Sequence, residues 1–154
     1  MGEELDFNEV FPGVCVGADP PPGGMVREAG FDLLVLTAWQ RQHGPELFPG
    51  LEVCHAPLTD DAFQIVDGDW ERARAAAERV VVAQYSGKRS LITCVEGRNR
   101  SGLVAAIALA TMRGNGGQDA IDMVQRTRPG SLYNWHFQEA LRRNCSASAA
   151  ETTR

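Results

Sequence analysis

Between residues 90 and 112 a short β-type run, Ser90-Leu91-Ile92-Thr93, gives way to a loop that opens at Cys94 and closes at Arg100. An apolar helical run then extends from Ser101 to about Met112. Within that run Leu103-Val104-Ala105-Ala106-Ile107-Ala108-Leu109-Ala110 offers no polar face. Such a helix has to lie inside the molecule, covered on all sides. A buried helix fed directly by a strand calls for a layered α/β architecture. In such a fold the loop between the two sits at the carboxyl end of the strand, where ligands are bound.

The flanking sequence supplies the other layers. Phe31 to Leu36 is apolar without alternation, the pattern of a strand covered on both faces. Val14 to Val16 and Leu51 to Leu58 read as further strands, and Leu91 to Thr93 as the fourth parallel one. Met1 to Glu9 reads as a polar, frayed lead-in, and Asp19-Pro20-Pro21-Pro22-Gly23-Gly24 as a loop. Met25 to Ala29 forms one helical turn stopped by Gly30. Thr37 to Gly50 is irregular; Trp39, Arg41 and His43 fall there, as ordinary loop or as a pocket wall. A helix from about Trp70 to Ser86, with Asp67 and Asp69 as N-cap candidates, carries Trp70, Ala73, Ala77, Val80, Val81 and Gln84 along one stripe. Gln118 to Arg126 makes another helix, halted before Pro129, and Asn134 can cap a last one. The expected fold is three layers: a central, mostly parallel sheet flanked by helices, as one domain over 1–144, with a disordered Ser/Ala/Thr tail over 145–154.

The loop carries the chemistry. Five residues separate Cys94 from Arg100, enough to wrap a tetrahedral anion. Backbone N–H groups in a strand–loop–helix turn can point inward, and the helix start adds unpaired donors and a partial charge of roughly +0.5. Val95, Glu96, Gly97, Arg98, Asn99 and Arg100 thus form a candidate phosphate-binding loop. Gly97 allows backbone conformations that a side chain would forbid, and Arg100 can hold two phosphate oxygens bidentately. The same donors favour a thiolate at Cys94, hence a nucleophile. Ser101 can donate to that sulfur or cap the helix. The other cysteines (Cys15, Cys54 and Cys145) are scattered, with no CxxC and no metal-ligand spacing.

Cys-x5-Arg-Ser between a strand and a helix resembles the signature of the cysteine-dependent protein tyrosine phosphatase superfamily, and most of all its compact dual-specificity branch. The likeness extends from Phe11-Pro12-Gly13-Val14-Cys15-Val16-Gly17 to about Arg143. It implies a phosphomonoester hydrolase without a cofactor or metal, acting on phosphorylated protein through a phosphocysteine on Cys94, with phosphate or vanadate as active-site anions. Ala56-Pro57-Leu58-Thr59-Asp60-Asp61 is similar to the family's Pro-x-x-Asp run, which puts the general acid on Asp60, with Asp61 as the alternative. Arg128-Pro129-Gly130 and Asn134 match positions that support the loop or line the site; on the sequence alone they are equally a turn and a cap. One departure stands out. The family carries His immediately before the nucleophile, and here it is Thr93, whose hydroxyl can still bond a nearby backbone group.

Substrate class stays open at this level. Arg98 adds a cation of the kind lipid-directed members carry, partly offset by Glu96. Asn99-Arg100-Ser101-Gly102 is similar to the loop of RNA 5′-triphosphatases. Thr93 also motivates a phosphate-binding module without catalysis. The net charge of −5 argues against wholesale binding to nucleic acid or anionic membranes, and no apolar run is long enough to span a bilayer. A nucleophilic thiol implies a reducing compartment, the cytoplasm.

Overall fold

The computed structural model describes residues 4–146, and the expected disordered tail falls almost wholly outside that range. Five strands form one sheet: β1 (Phe7–Phe11), β2 (Val14–Gly17), β3 (Leu33–Leu36), β4 (Glu52–His55) and β5 (Ser90–Thr93), in the order β1-β2-β5-β3-β4. Strand β5 lies in the middle, parallel to β2 on one side and β3 on the other, and β4 continues the parallel set. Only β1 is antiparallel, paired to β2 through the turn at Pro12-Gly13. That corrects the reading of a frayed lead-in for Phe7 to Glu9, while Met1 to Glu3 of that stretch lie outside the described residues. Proline followed by a glycine at φ +83° is a tight hairpin turn, and it folds the preceding residues back onto the sheet. The third expected strand is also shorter than Leu51 to Leu58.

Alternation in the strands sorts side chains into two cores. Val14, Val16, Leu33, Val35 and Ile92 face the larger one, shared with α2 (Asp69–Tyr85), α3 (Arg100–Arg113), α4 (Gly117–Thr127) and α5 (Trp135–Asn144). Cys15, Leu34, Leu36 and Leu91 face the smaller one, closed by Val26 of α1 (Met25–Glu28), Phe31 and Phe48. The helix apolar all round is α3, and every residue from Ser101 to Ala110 is buried. It ends at Gly114 in the left-handed region, as a C-cap glycine should.

Two expected caps differ. Gly68, at φ +84°, occupies the N-cap of α2. Asp69 instead turns inward, accepting from the Thr59 N–H at 2.7 Å and pairing with Arg72, so it ties α2 to the segment carrying Asp60. Ser101 is inside α3 rather than at its cap, because Asn99 takes that position. Asn134 does cap α5, accepting from the N–H groups of His136 and Phe137.

Candidate active site

Beyond Thr93 the chain leaves the centre of the sheet and wraps into a loop whose carbonyls all turn outward and all find donors. The Cys94 carbonyl accepts from Gln42 Nε2 at 3.4 Å, and that of Val95 from the Asp19 N–H at 3.1 Å. Glu96 and Gly97 are both met by Arg128, at 3.0 and 2.6 Å. Arg98 accepts from the Leu132 N–H at 3.2 Å, and Asn99 from Leu103 in the first turn of α3 at 2.9 Å. By contrast, the N–H groups from Val95 to Arg100 donate to no described residue. A loop with six carbonyls outside has its donors left for the concave side, the arrangement of an anion-binding nest. Gly97 makes the turn possible. Its φ is +71°, and a Cβ there would run into the carbonyl of Gly17 on β2.

The concave side opens into a pocket of about 200 Å³ lined by Cys94, the loop, Arg100, Asp60, Arg41 and Tyr133. Cys94 is 3% exposed, with Sγ 3.3 Å from Ser101 Oγ. Arg100 lines the same pocket, and its buried Nε has no partner among the described residues. A guanidinium held there with a free donor is ready for an oxyanion. Arg98 sits at the rim, 3.7 Å from the Glu96 carboxylate, an exposed pair that offsets its charge in part.

The two aspartates separate clearly. Asp60 lines the pocket and is held from both sides: Asn99 Nδ2 donates to one carboxylate oxygen at 2.9 Å, Asn134 Nδ2 to the other at 2.7 Å. A carboxylate has about four acceptor positions, so both oxygens keep capacity toward the pocket. Asp61 instead accepts from the Phe63 N–H at 2.7 Å, stabilising its own turn. Asn99 further accepts from the backbone of Asn134 at 2.9 Å, closing a circuit of loop, acid and helix cap.

Thr93 is fully buried behind the nucleophile. Its hydroxyl donates to the Val35 carbonyl at 2.9 Å, the backbone bond expected of it, and accepts from Gln42 Nε2 at 2.9 Å. Gln42 also reaches toward Asp19 Oδ1 at 3.4 Å. Burial pushes the Asp19 carboxyl above its usual range, a rise opposed by that hydrogen bond and by His43.

Several supports were not anticipated. Gln42 carries no local signal, since nothing in the sequence says that a glutamine in an irregular stretch will reach the next-but-one strand. Asp6 and Asn8, which bind the outer side of Arg128 at 2.9–3.1 Å, went unread because their strand did. The Pro12-Gly13 turn was the signal that could have found it. For Arg128 the structure decides between the two readings: it supports the loop and is 7% exposed. Asn134 fills both roles at once.

Comparison with known proteins agrees with this geometry. No protein-family model matches the chain. It is 30% identical over 139 residues to dual specificity phosphatase 28 of Mus musculus, covering 89% of this chain and 82% of that protein. Of solved structures, a mouse protein described as a dual specificity phosphatase, complexed with zinc tungstate, superposes with a TM-score of 0.77. Identity is 28%, over 99% of this chain and 94% of that one. Human DUSP28 gives a TM-score of 0.76 at 26% identity, over 89% and 90% of the two chains. No helix among the described residues is long and apolar enough to cross a membrane. With a Cys-x5-Arg loop at the end of the central strand and a relative of this similarity across most of both chains, the protein belongs to the dual-specificity phosphatases, a phosphomonoester hydrolase of the cysteine-dependent protein tyrosine phosphatase superfamily.

Proposed function

We propose that Cys94 is the nucleophile of a two-step hydrolysis of phosphorylated protein. The Cys94 thiolate attacks phosphorus in line while Asp60 gives its proton to the departing oxygen, leaving a phosphocysteine. The Asp60 carboxylate then takes a proton from water, which attacks the phosphocysteine and releases phosphate, and Ser101 donates to the sulfur as it leaves. Arg100 and the N–H groups of Val95 to Arg100 hold the phosphoryl oxygens and stabilise the charge of the transition state. Asp60 rather than Asp61 fits the acid because it lines the pocket and its carboxylate is steadied by two amides. The observation that carries the reading is the outward set of six carbonyls, which leaves a ring of donors around Cys94.

The catalytic unit is a single domain ending at Asn144, with no metal or cofactor in the reaction. The four cysteines are all free, and the chemistry needs Cys94 reduced, which suits the cytoplasm. A lipid substrate loses support, since the cation that suggested it, Arg98, has the Glu96 carboxylate 3.7 Å away. Hydrolysis of a small aryl phosphate tests the reading. Turnover should be inhibited by vanadate and indifferent to chelators, and Cys94→Ser should abolish it while still binding tungstate. Normal turnover by Cys94→Ser overturns the mechanism.

A further inference from the structure

A trans peptide points its C=O and its N–H in opposite directions. The partner that holds a loop carbonyl outward therefore also aims the next residue's N–H inward. The loop's carbonyls are not held alike. Where the chain enters the loop, the Thr93 carbonyl accepts twice, from the Thr37 N–H at 3.1 Å and from the Thr37 hydroxyl at 2.8 Å. The carbonyls of Val95 to Asn99 accept at 2.6–3.2 Å. Between them stands the exception. Among the described residues the Cys94 carbonyl has one partner, Gln42 Nε2, at 3.4 Å. The peptide that joins the nucleophile to Val95, and carries the first inward N–H of the loop, is the least firmly held.

The neighbours of the Gln42 amide fix which way round it sits. Gln42 Oε1 accepts the Ala38 N–H at 2.9 Å, which leaves Nε2 to face Thr93. The Thr93 hydroxyl spends its own hydrogen on the Val35 carbonyl, so it accepts from Nε2 at 2.9 Å. That bond uses one of the two hydrogens of the amide. The other faces two acceptors at the same distance: the Cys94 carbonyl and Asp19 Oδ1, each at 3.4 Å. One hydrogen cannot serve both, and a carboxylate is the stronger acceptor. We propose that Gln42 is a positioning residue for the phosphoryl group, aiming the Val95 N–H through the Cys94–Val95 peptide, and that the Asp19 carboxylate weakens this hold by competing for the same hydrogen. The two halves of Asp19 act in opposite directions, since its backbone N–H holds the Val95 carbonyl at 3.1 Å. The inference rests on the catalytic reading above. It adds to that reading a pair of side chains that act on the anion site through its backbone alone.

The test is a double-mutant cycle of Gln42→Met and Asp19→Ala, read by kcat/KM on a small aryl phosphate and by inhibition with vanadate. It is run in about 1 M salt, where a Debye length of about 3 Å screens the long-range field of an exposed carboxylate. Gln42→Met keeps the length of the side chain and removes its donor. Where the variant is folded, kcat/KM should fall about tenfold and vanadate should inhibit about three- to tenfold less tightly. The loss is smaller than the roughly 10²–10³ expected when an oxyanion donor is removed outright, because the Val95 N–H is loosened rather than deleted. Asp19→Ala, at an exposed position, should do the reverse and improve both readouts about two- to threefold. In the Gln42→Met background that gain should vanish. Unchanged readouts in Gln42→Met, no gain in Asp19→Ala, or a gain of equal size in both backgrounds each overturn the proposal; the last assigns the effect of Asp19 to its charge. Gln42→Ala supplies the same cycle if Gln42→Met does not fold. Turnover by wild type and by Cys94→Ser reports on the catalytic reading separately, and vanadate binding reads the positioning even without turnover, so the two failures are distinct.

Discussion

Removing the Arg128 guanidinium should cost both stability and turnover, and the structure allows the amounts to be worked out. Arg128 is 7% exposed and satisfies the carbonyls of Gly97 and Glu96, while its outer side meets Asp6, which is 67% exposed. In Arg128→Ala the two carbonyls lose their donor, at about 1–3 kcal/mol each, the Gly97 bond being the more buried. Asp6 simply returns to water and adds little. The expected loss is about 3–4 kcal/mol, which lowers a urea midpoint by about 2 M at a slope of about 1.5–2 kcal/mol/M. Asp6→Asn should shift stability by less than about 1 kcal/mol. Arg128→Lys should recover less than half, because a single ammonium cannot serve both carbonyls in the geometry of the fork. The freed loop also lets its N–H groups rotate away from the pocket, so kcat on a small aryl phosphate should fall about 10²-fold at a temperature where the variant is folded. Urea titrations with steady-state kinetics on the three variants provide the measurement. If Arg128→Ala lies within 1 kcal/mol of the parent and keeps its kcat, or if Asp6→Asn costs as much, the carbonyl-satisfaction argument is refuted.

Asp60→Asn should slow hydrolysis of an alkyl phosphate by about 10²-fold or more and of a good-leaving-group aryl ester far less, with Asp61→Asn affecting both little; the opposite ranking moves the acid to Asp61. Burial pushes the Cys15 thiol from 9.0 up to about 11, against the neighbouring Arg89 cation. In the unfolded chain that thiol ionises near its ordinary value, so its contribution is complete below pH 9 and is lost as pH rises toward 11, about 2–3 kcal/mol in all. Urea midpoints between pH 8 and 10.5 should therefore fall more steeply for the parent than for Cys15→Ala, and parallel slopes would contradict this. Thr93→Val and Gln42→Ala should each destabilise, with a double-mutant coupling of about 1 kcal/mol; strict additivity would mean that the Thr93–Gln42 bond contributes nothing. Thr93→His should cost about 1–3 kcal/mol by overfilling a fully buried site.

Elements whose own residues dictate them were legible in advance. The all-apolar stretch Leu103 to Ala110 could only be a buried helix, and it is; the run Phe31 to Leu36 read as a doubly covered strand, and its last four residues, Leu33–Leu36, form one. Cys94, Gly97, Arg100 and Ser101 were readable because their spacing is local: seven positions of one loop and the helix that follows it. Strand β1 was not legible, because an edge strand buries one residue in five and its pattern is mostly exposed. The N-cap of α2 was misjudged for a related reason. Asp69 has cap chemistry, but the demand of the Thr59 N–H across the chain outweighed the demand of its own helix.

What stayed hidden has one physical origin. A loop that turns its donors inward must turn its acceptors outward, and those acceptors need partners that the loop cannot supply. The partners come from wherever the fold brings a donor near: Asp19 after β2, Gln42 after β3, Arg128 after α4, Leu132 before α5. None of these lies within 25 residues of its carbonyl in sequence, so no window read along the chain could collect them. The inner ring is a property of one peptide segment, whereas the outer ring is a property of the whole topology. Leu132 shows how far the fold goes to complete it: a fully buried leucine held at φ +53°, its N–H donating to the Arg98 carbonyl. A residue that accepts the left-handed region without being glycine gives up roughly 1–2 kcal/mol. The bond it makes recovers about that much, by sparing the carbonyl an unsatisfied position. Strain at Leu132 is therefore understood as part of the anion site, 38 residues away along the chain from Cys94.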